Sequence, residues 1–145
     1  MSIIKNFLAA GGDHPECFID EFTRGYIEGA LWSSTDPNTG EPLDKHHDIR
    51  RITQRCLRKM IEVCRDFQVK AHHLLVPDNW TGPSDALVSF LWQAGFHFWL
   101  TQAGHGIGFW DGDWQEPAAT SLCDLSDNYP EMNLFIDDDG GIDYL

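Results

Sequence analysis

Phe96-His97-Phe98-Trp99-Leu100-Thr101 is followed by Gln102-Ala103-Gly104-His105-Gly106 and then by Ile107-Gly108-Phe109-Trp110-Asp111. How this segment is read decides the fold. The first run is aromatic and partly alternating, the middle sets a histidine between two glycines, and the last run is aromatic again. Short apolar runs bounded by glycine turns predict strands, so the segment reads as a β-hairpin with Ala103 to Gly106 as its turn.

Working outward, helices dominate what precedes it. Asp13-His14-Pro15-Glu16 has the form of a helix start, with Asp13 as N-cap, Pro15 in the first turn and Glu16 completing a capping box. Phe18, Phe22, Tyr26 and Gly29 recur every three to four residues, and Gly25 and Gly29 would let another element approach closely. This helix is expected to end near Trp32, before the acidic, turn-rich stretch Ser33 to Asp44. A second helix is predicted from about Asp48 to the early seventies. Its apolar stripe is Ile49, Ile52, Cys56, Met60, Val63 or Cys64, and Phe67, with Arg58 and Glu62 spaced to pair.

Pro77 to Pro83 is the next loop. Ser84 is read as the cap of a short helix reaching Ala94, with Gly95 ending it. Beyond the aromatic segment, a short helix is predicted within Glu116 to Asp127, beginning near Pro117. Leu134-Phe135-Ile136, a DDDGG turn and Ile142 to Leu145 form a closing hairpin. The expected class is α+β in a single domain, 1–145. Two long and one or two short helices would pack on one face of a three- or four-stranded antiparallel sheet.

The charge is unevenly distributed. The chain of 145 residues carries 23 acidic and 10 basic residues, a formal net charge of −13. Eight of those basic residues lie between Lys45 and Lys70, and no lysine or arginine follows Lys70. Such a field repels nucleic acid, which is held largely by phosphate neutralisation, and favours a basic partner. Its plain alternative is solubility. The opening residues lack the long apolar core of a signal peptide and read as an N-terminal strand or arm. No stretch nears the ~20 apolar residues of a membrane span. Cys17, Cys56, Cys64 and Cys123 are therefore expected to be reduced thiols in a cytoplasm.

Candidate chemistry is sparse. His105 between its glycines is the most conspicuous group, because an imidazole on exposed backbone can contact a ligand or move a proton, with Asp111 near enough in sequence to orient it. Gly-X-Gly is equally what a tight turn requires. Trp99 and Trp110 belong to an aromatic cluster that serves either as core or as a partner-binding patch. Asp113 and the run Asp137, Asp138 and Asp139 supply carboxylates. These eight residues are the candidate binding set; no catalytic residue is assigned. Asp36-x-Asn38-x-Gly40-Glu41 and the Asp137–Asp139 turn hint at calcium, but the first lacks EF-hand geometry and the second is an ordinary hairpin turn. His46-His47 and His72-His73 have no partner at zinc-site spacing. G-x-S-x-G, phosphate-binding glycine loops and H-E-x-x-H are all missing, so no cofactor or metal is predicted and a binder is favoured over an enzyme.

The segments Tyr26-Ile27-Glu28-Gly29-Ala30-Leu31-Trp32-Ser33-Ser34-Thr35-Asp36 and Phe98 to Asp111 resemble a family of small acidic bacteriophage proteins with a F-W-L-T-R-N-G-H-G-x-G-F-W-D-R pattern. Gly40 to Asp44 and the terminal Asp-Gly hairpin are also similar. The chain departs at Gln102-Ala103, where the pattern has Arg-Asn, at Gly112 for the trailing Arg, and at Gly29 for a Cys. The resemblance implies a phage origin and a bacterial host cytoplasm, and no mechanism. The expected function is an accessory protein that binds and modulates a host protein with a basic surface, in its concrete form a nucleic-acid-mimicking inhibitor. Direct nucleic-acid and membrane binding are not expected. The alternative is a small enzyme or ligand-binding domain centred on His105 and Asp111. A third reading is self-association, as a homodimer, through the aromatic hairpin.

Overall fold

The computed structural model describes residues 19–82, 89–104, 108–110 and 112–145. Four α-helices and one antiparallel ribbon make up its regular structure: α1 Glu21–Ser33, α2 Gln54–Lys70, α3 Phe90–Gln102, α4 Ala118–Ser126, β1 Leu134–Ile136 and β2 Ile142–Tyr144. Short 3₁₀ turns at Leu43–Lys45, Ile49–Arg51 and Pro77–Asn79 punctuate the loops. The mixed α+β class holds.

Each of the first three helices begins where a side-chain oxygen accepts an otherwise unpaired amide. Asp20 accepts from the Thr23 N–H at 2.8 Å, Thr53 from Cys56 at 3.1 Å and Ser89 from Trp92 at 3.1 Å. The caps thus stand at Asp20 and Ser89, whereas the sequence pointed to Asp13 and Ser84, both of which lie outside the described residues. The second helix, expected from about Asp48, starts at Gln54 behind the Thr53 cap: Cys56, Met60, Val63, Cys64 and Phe67 of the expected stripe are buried on it, whereas Ile49, packed at the edge, and the buried Ile52 precede it at a separate 3₁₀ turn.

The main correction concerns Phe96 to Thr101. These residues are not a strand; they form the second half of α3, which runs unbroken through Gly95. Ala94, Gly95, His97, Phe98, Trp99, Leu100 and Thr101 are buried, so the segment is enclosed on nearly every side and has no amphipathic period to distinguish helix from strand. The sheet is correspondingly smaller than expected. Among the described residues it is a single two-stranded ribbon with Leu134 opposite Tyr144, Phe135 opposite Asp143 and Ile136 opposite Ile142.

Gly95 does not end a helix. It lets α3 cross α1, the most extensive element pairing in the fold. A Cβ on Gly95 would lie 1.8 Å from the Phe22 carbonyl oxygen, and one on Gly25 would lie 1.9 Å from the Trp92 carbonyl oxygen. Backbone therefore faces backbone at two points on the crossing. Gly29, one turn further along α1, is looser, with its would-be Cβ 3.3 Å from the Phe96 ring. Beneath the crossing lies an aromatic core. Phe67 of α2 stacks on Phe98 of α3 at 3.9 Å, and Phe22, Phe109 and Tyr129 surround Phe67 at 5.8–5.9 Å.

The ribbon is fastened to the start of α2. Thr53 N–H donates to the Ile142 carbonyl at 2.9 Å, Arg51 donates to the Gly140 carbonyl at 3.0 Å, and Arg55 meets the Asp143 carboxylate at 2.6 Å. Burial opposes ionisation of Asp143, but the Tyr144 amide, Arg55 and Thr53 outweigh it and hold its carboxyl below the usual value of 3.8.

Two predictions follow from this packing. Gly→Ala in a helix interior ordinarily stabilises by up to about 1 kcal/mol. Here Gly25→Ala and Gly95→Ala should each destabilise by about 3 kcal/mol or more, because a methyl group would have to displace backbone. Gly29→Ala should be close to neutral; chemical denaturation of the three variants checks the order. Because the folded-state pKa of Asp143 is depressed, its stabilisation is present above about pH 4 and disappears as pH falls through the lower native value. Asp143→Asn should flatten the acid limb of the stability curve in that window while lowering stability at neutral pH.

Candidate functional site: an acidic aromatic face

The return from α3 is built on Thr101 and three aromatic rings. Gly104, at φ +75°, turns the chain out of the helix, as glycine does at such ends. The Thr101 hydroxyl donates to the His97 carbonyl at 2.8 Å and accepts from the Phe109 N–H at 3.2 Å. A Cβ on Gly108 would lie 2.3 Å from that hydroxyl, so the chain passes Thr101 at a distance only glycine allows. Phe109 is thereby set in the core, with its ring 5.9 Å from Phe67 and 5.8 Å from Trp114.

Trp114 is buried and donates its indole N–H to His97 Nδ1 at 3.0 Å. An indole can only donate, so Nδ1 is unprotonated and the ring proton of neutral His97 sits on Nε2. Loop-to-loop bonds fix the outer side. Thr81 N–H donates to the Asp113 carbonyl at 2.7 Å, Gln115 N–H donates to the Asn79 carbonyl at 2.9 Å, and the Gln115 side chain donates to the Asp78 carbonyl at 2.9 Å. Asp78, Asp113 and Glu116 are thus presented along one stretch of surface.

The candidate residues separate into distinct groups. Trp99 is a core residue, 2 % exposed, whose indole donates to the Ser33 hydroxyl at 2.7 Å, so it is unavailable to a partner. Trp110 is 48 % exposed and lines a cleft of about 250 Å³ with Gly112, Trp114, Glu116, Ala119, Thr120 and Cys123. Asp113 lies beside this cleft on the same loop. Asp137 is occupied by its own turn, accepting from Asp139 and Gly141 amides at 3.0 and 2.7 Å, while Asp138 and Asp139 project at the exposed tip. That tip belongs to the α2–ribbon junction and not to the Trp110 cleft. His105 and Asp111 lie outside the described residues. The expected strand pairing between Phe96–Thr101 and Ile107–Asp111 is lost with the strand itself.

Sequence reading missed His97 and the α1–α3 groove. His97 was hidden inside an aromatic run that pointed to core. The groove, of about 480 Å³, lies between Leu31 and Trp32 of α1, Trp92 and Phe96 of α3, and the turn at Asp48 to Arg50. Trp32 is 48 % exposed there, and Trp92 donates its indole N–H to Glu28. The groove joins residues far apart in sequence, so no local pattern announces it.

Ion pairing answers whether the carboxylates are neutralised. The basic stretch pairs mainly with its own neighbours: Lys45 with Glu41 at 3.3 Å, Arg50 with Asp48 at 2.7 Å and Lys70 with Asp66 at 3.1 Å. Glu62 meets Lys59 at 3.9 Å, in place of the expected Arg58. Among the described carboxylates beyond Lys70, Asp143 alone forms an ion pair with a basic side chain. The Asp36 loop that hinted at calcium closes on itself, Asp36 accepting from the Asn38 amide at 2.8 Å and lying 3.8 Å from His47. No group of three or more His, Cys, Asp or Glu among the described residues is arranged to hold a metal ion. No described helix is long and apolar enough to cross a membrane.

Burial disfavours the thiolate at each of the three described cysteines, and Cys17 lies outside the described residues. Cys56, Cys64 and Cys123 are free thiols. Burial, with Asp143 adding to it, pushes Cys56 up to about 12, and burial raises Cys64 as well. Cys123 is raised by burial and by the negative fields of Asp127, Asp124 and Glu116. Glu116 itself is held below the usual carboxylate range by the hydroxyl and amide of Thr120.

The His97–Trp114 bond predicts that imidazole ¹⁵N shifts will show the Nε2–H tautomer. Trp114→Phe, which removes the indole donor, should destabilise by about 1–3 kcal/mol. An Nδ1–H tautomer, or a Phe variant as stable as its parent, would contradict the geometry.

No family model, curated protein or solved structure matches this chain, so the reading of its surface rests on the chain's own residues.

Proposed function

We propose that the protein is a binder that engages a basic partner protein through its acidic face, with no catalytic role. The observation that carries this reading is the ion-pair pattern. Carboxylates beyond Lys70, with the one exception of Asp143, have no basic side chain to neutralise them among the described residues. Asp78, Glu116, Asp124, Asp127, Glu131, Asp138 and Asp139 are all exposed. A field of one sign raises encounter rates with an oppositely charged surface and selects against wrong partners. The resemblance to small acidic bacteriophage proteins suits a host protein as that partner, and a nucleic-acid-binding groove is the host surface whose charge this face complements. The protein would then occupy phosphate positions and act as an inhibitor.

The groove between α1 and α3 favours a second reading, a ligand-binding domain. Its volume lies within the range of small-molecule sites, and Trp32, Trp92 and Phe96 supply aromatic walls. Most of its charged rim is already paired, Arg50 with Asp48 and Arg24 with Glu28 at 4.0 Å, while Asp44 forms no described ion pair, so the groove offers mainly apolar contact. This reading rests on the groove and not on His105 and Asp111, which lie outside the described residues.

The first reading is tested by isolating a partner from bacterial lysate and measuring its affinity against ionic strength and against competing duplex DNA. A basic partner whose affinity falls at least about tenfold between 0.05 and 0.5 M salt, and which DNA displaces, is the expected result. A partner bound equally well across that range, or one indifferent to DNA, would count against charge-driven mimicry.

A further inference from the structure

We infer that the cleft beside Trp110 is a socket for one arginine or lysine side chain of the partner, and so the anchor of the acidic face; the inference rests on the binding reading above. The primary observation is the tryptophan. The other two tryptophans of this corner are packed inward, Trp114 at 3 % exposure and Trp80 edge-on to it at 5.1 Å, while Trp110 remains 48 % exposed. It lines a cleft together with the apolar Trp114, Ala119 and Cys123. An exposed indole beside a slot of about 250 Å³ offers room for a long, narrow side chain.

Charge complementarity selects which side chain. Glu116 lines the slot, and its carboxylate is held in place before any partner arrives. Thr120 donates to it from the hydroxyl at 2.9 and 2.7 Å and from the amide at 2.8 Å. Asp124 on α4 and Asp127 at its C-cap add to the negative field felt at Cys123 in the cleft lining. An aromatic face beside fixed carboxylates is the arrangement that receives a cation, through cation–π attraction and a charge-assisted hydrogen bond. The aliphatic stem of arginine or lysine would cover the apolar lining while its head reaches Glu116. Among the described residues, no basic side chain forms an ion pair with Glu116, Asp124 or Asp127.

The test uses the full chain and two synthetic peptides of equal length, one alternating arginine with glycine and one with citrulline in every arginine position. Citrulline keeps the shape and removes the charge. Affinities are measured at low salt for the parent, Trp110→Ala, Trp110→Phe, Glu116→Gln and the control Asp138→Asn, which removes the same charge at the distant ribbon tip. The inference expects the arginine peptide to bind and the citrulline peptide to bind at least about tenfold more weakly. Trp110→Ala and Glu116→Gln should each lose about tenfold, Trp110→Phe about threefold, and Asp138→Asn less than twofold. If the arginine peptide binds but Trp110→Ala matches the parent and Glu116→Gln loses no more than Asp138→Asn, the socket is overturned and the acidic-face reading stands. If the arginine peptide does not bind at all, both are overturned.

Discussion

The contact on which the rest of this structure depends is the glycine-lined crossing of α1 and α3. Two backbones approach until a single methyl group at Gly25 or Gly95 would overlap a carbonyl oxygen of the opposite helix. Van der Waals attraction is short-ranged, so such closeness gains contacts along both helices that bulkier residues would forfeit. It also sets where the larger side chains go. With the helices this close, Phe22, Tyr26, Phe98 and Trp99 are directed to the side where Phe67 of α2 completes the aromatic core. The exit of α3 then lies over that core, and Thr101 carries the chain back across it to place Phe109 inside and Trp110 outside.

Charge follows from the same architecture. The basic stretch leads into and along α2, where most of its charges find carboxylates within a few residues or, for Arg55, on the docked ribbon. Its positive charge is thus largely paired locally. Glu116 lines the Trp110 cleft, and with Asp124 and Asp127 it bears on Cys123 in the cleft lining, none of the three in a described ion pair.

Much of this was legible in the sequence, for identifiable reasons. Cys56, Met60, Cys64 and Phe67 lie on one face of a helix with a polar opposite side, so their period reveals both the element and its buried face, whereas Ile49 and Ile52 fit the same spacing but precede the helix. The closing ribbon announced itself through apolar triplets around an Asp-Gly turn. Gly25 was read correctly as a point of close approach, because a glycine on an apolar helical stripe has few other uses. Gly95 was misread because a glycine that ends a helix and a glycine that lets one helix cross another look alike locally. What separates them is the Phe22 carbonyl, more than seventy residues away in sequence. The strand reading of Phe96 to Thr101 failed for a related reason: a helix half buried on nearly every side carries little period. Of the candidate site, the exposed Trp110 and the unpaired acids were visible as composition, whereas the cleft that joins Trp110 to Glu116 and Cys123 exists only after α4 folds against the return loop.

The account stands or falls on Phe96 to Thr101 being a helix pressed against α1. The most direct measurement is a proton NMR contact map of the free protein. A short-range contact between the Hα protons of Gly25 and Trp92 is the predicted result, since the Trp92 Cα lies 3.0 Å from the position a Gly25 Cβ would take. Helical amide-to-amide contacts should also run without a break from Phe90 to Gln102. Cross-strand Hα contacts between Phe96–Thr101 and Ile107–Asp111, with no contact from Gly25 to Trp92, would contradict it.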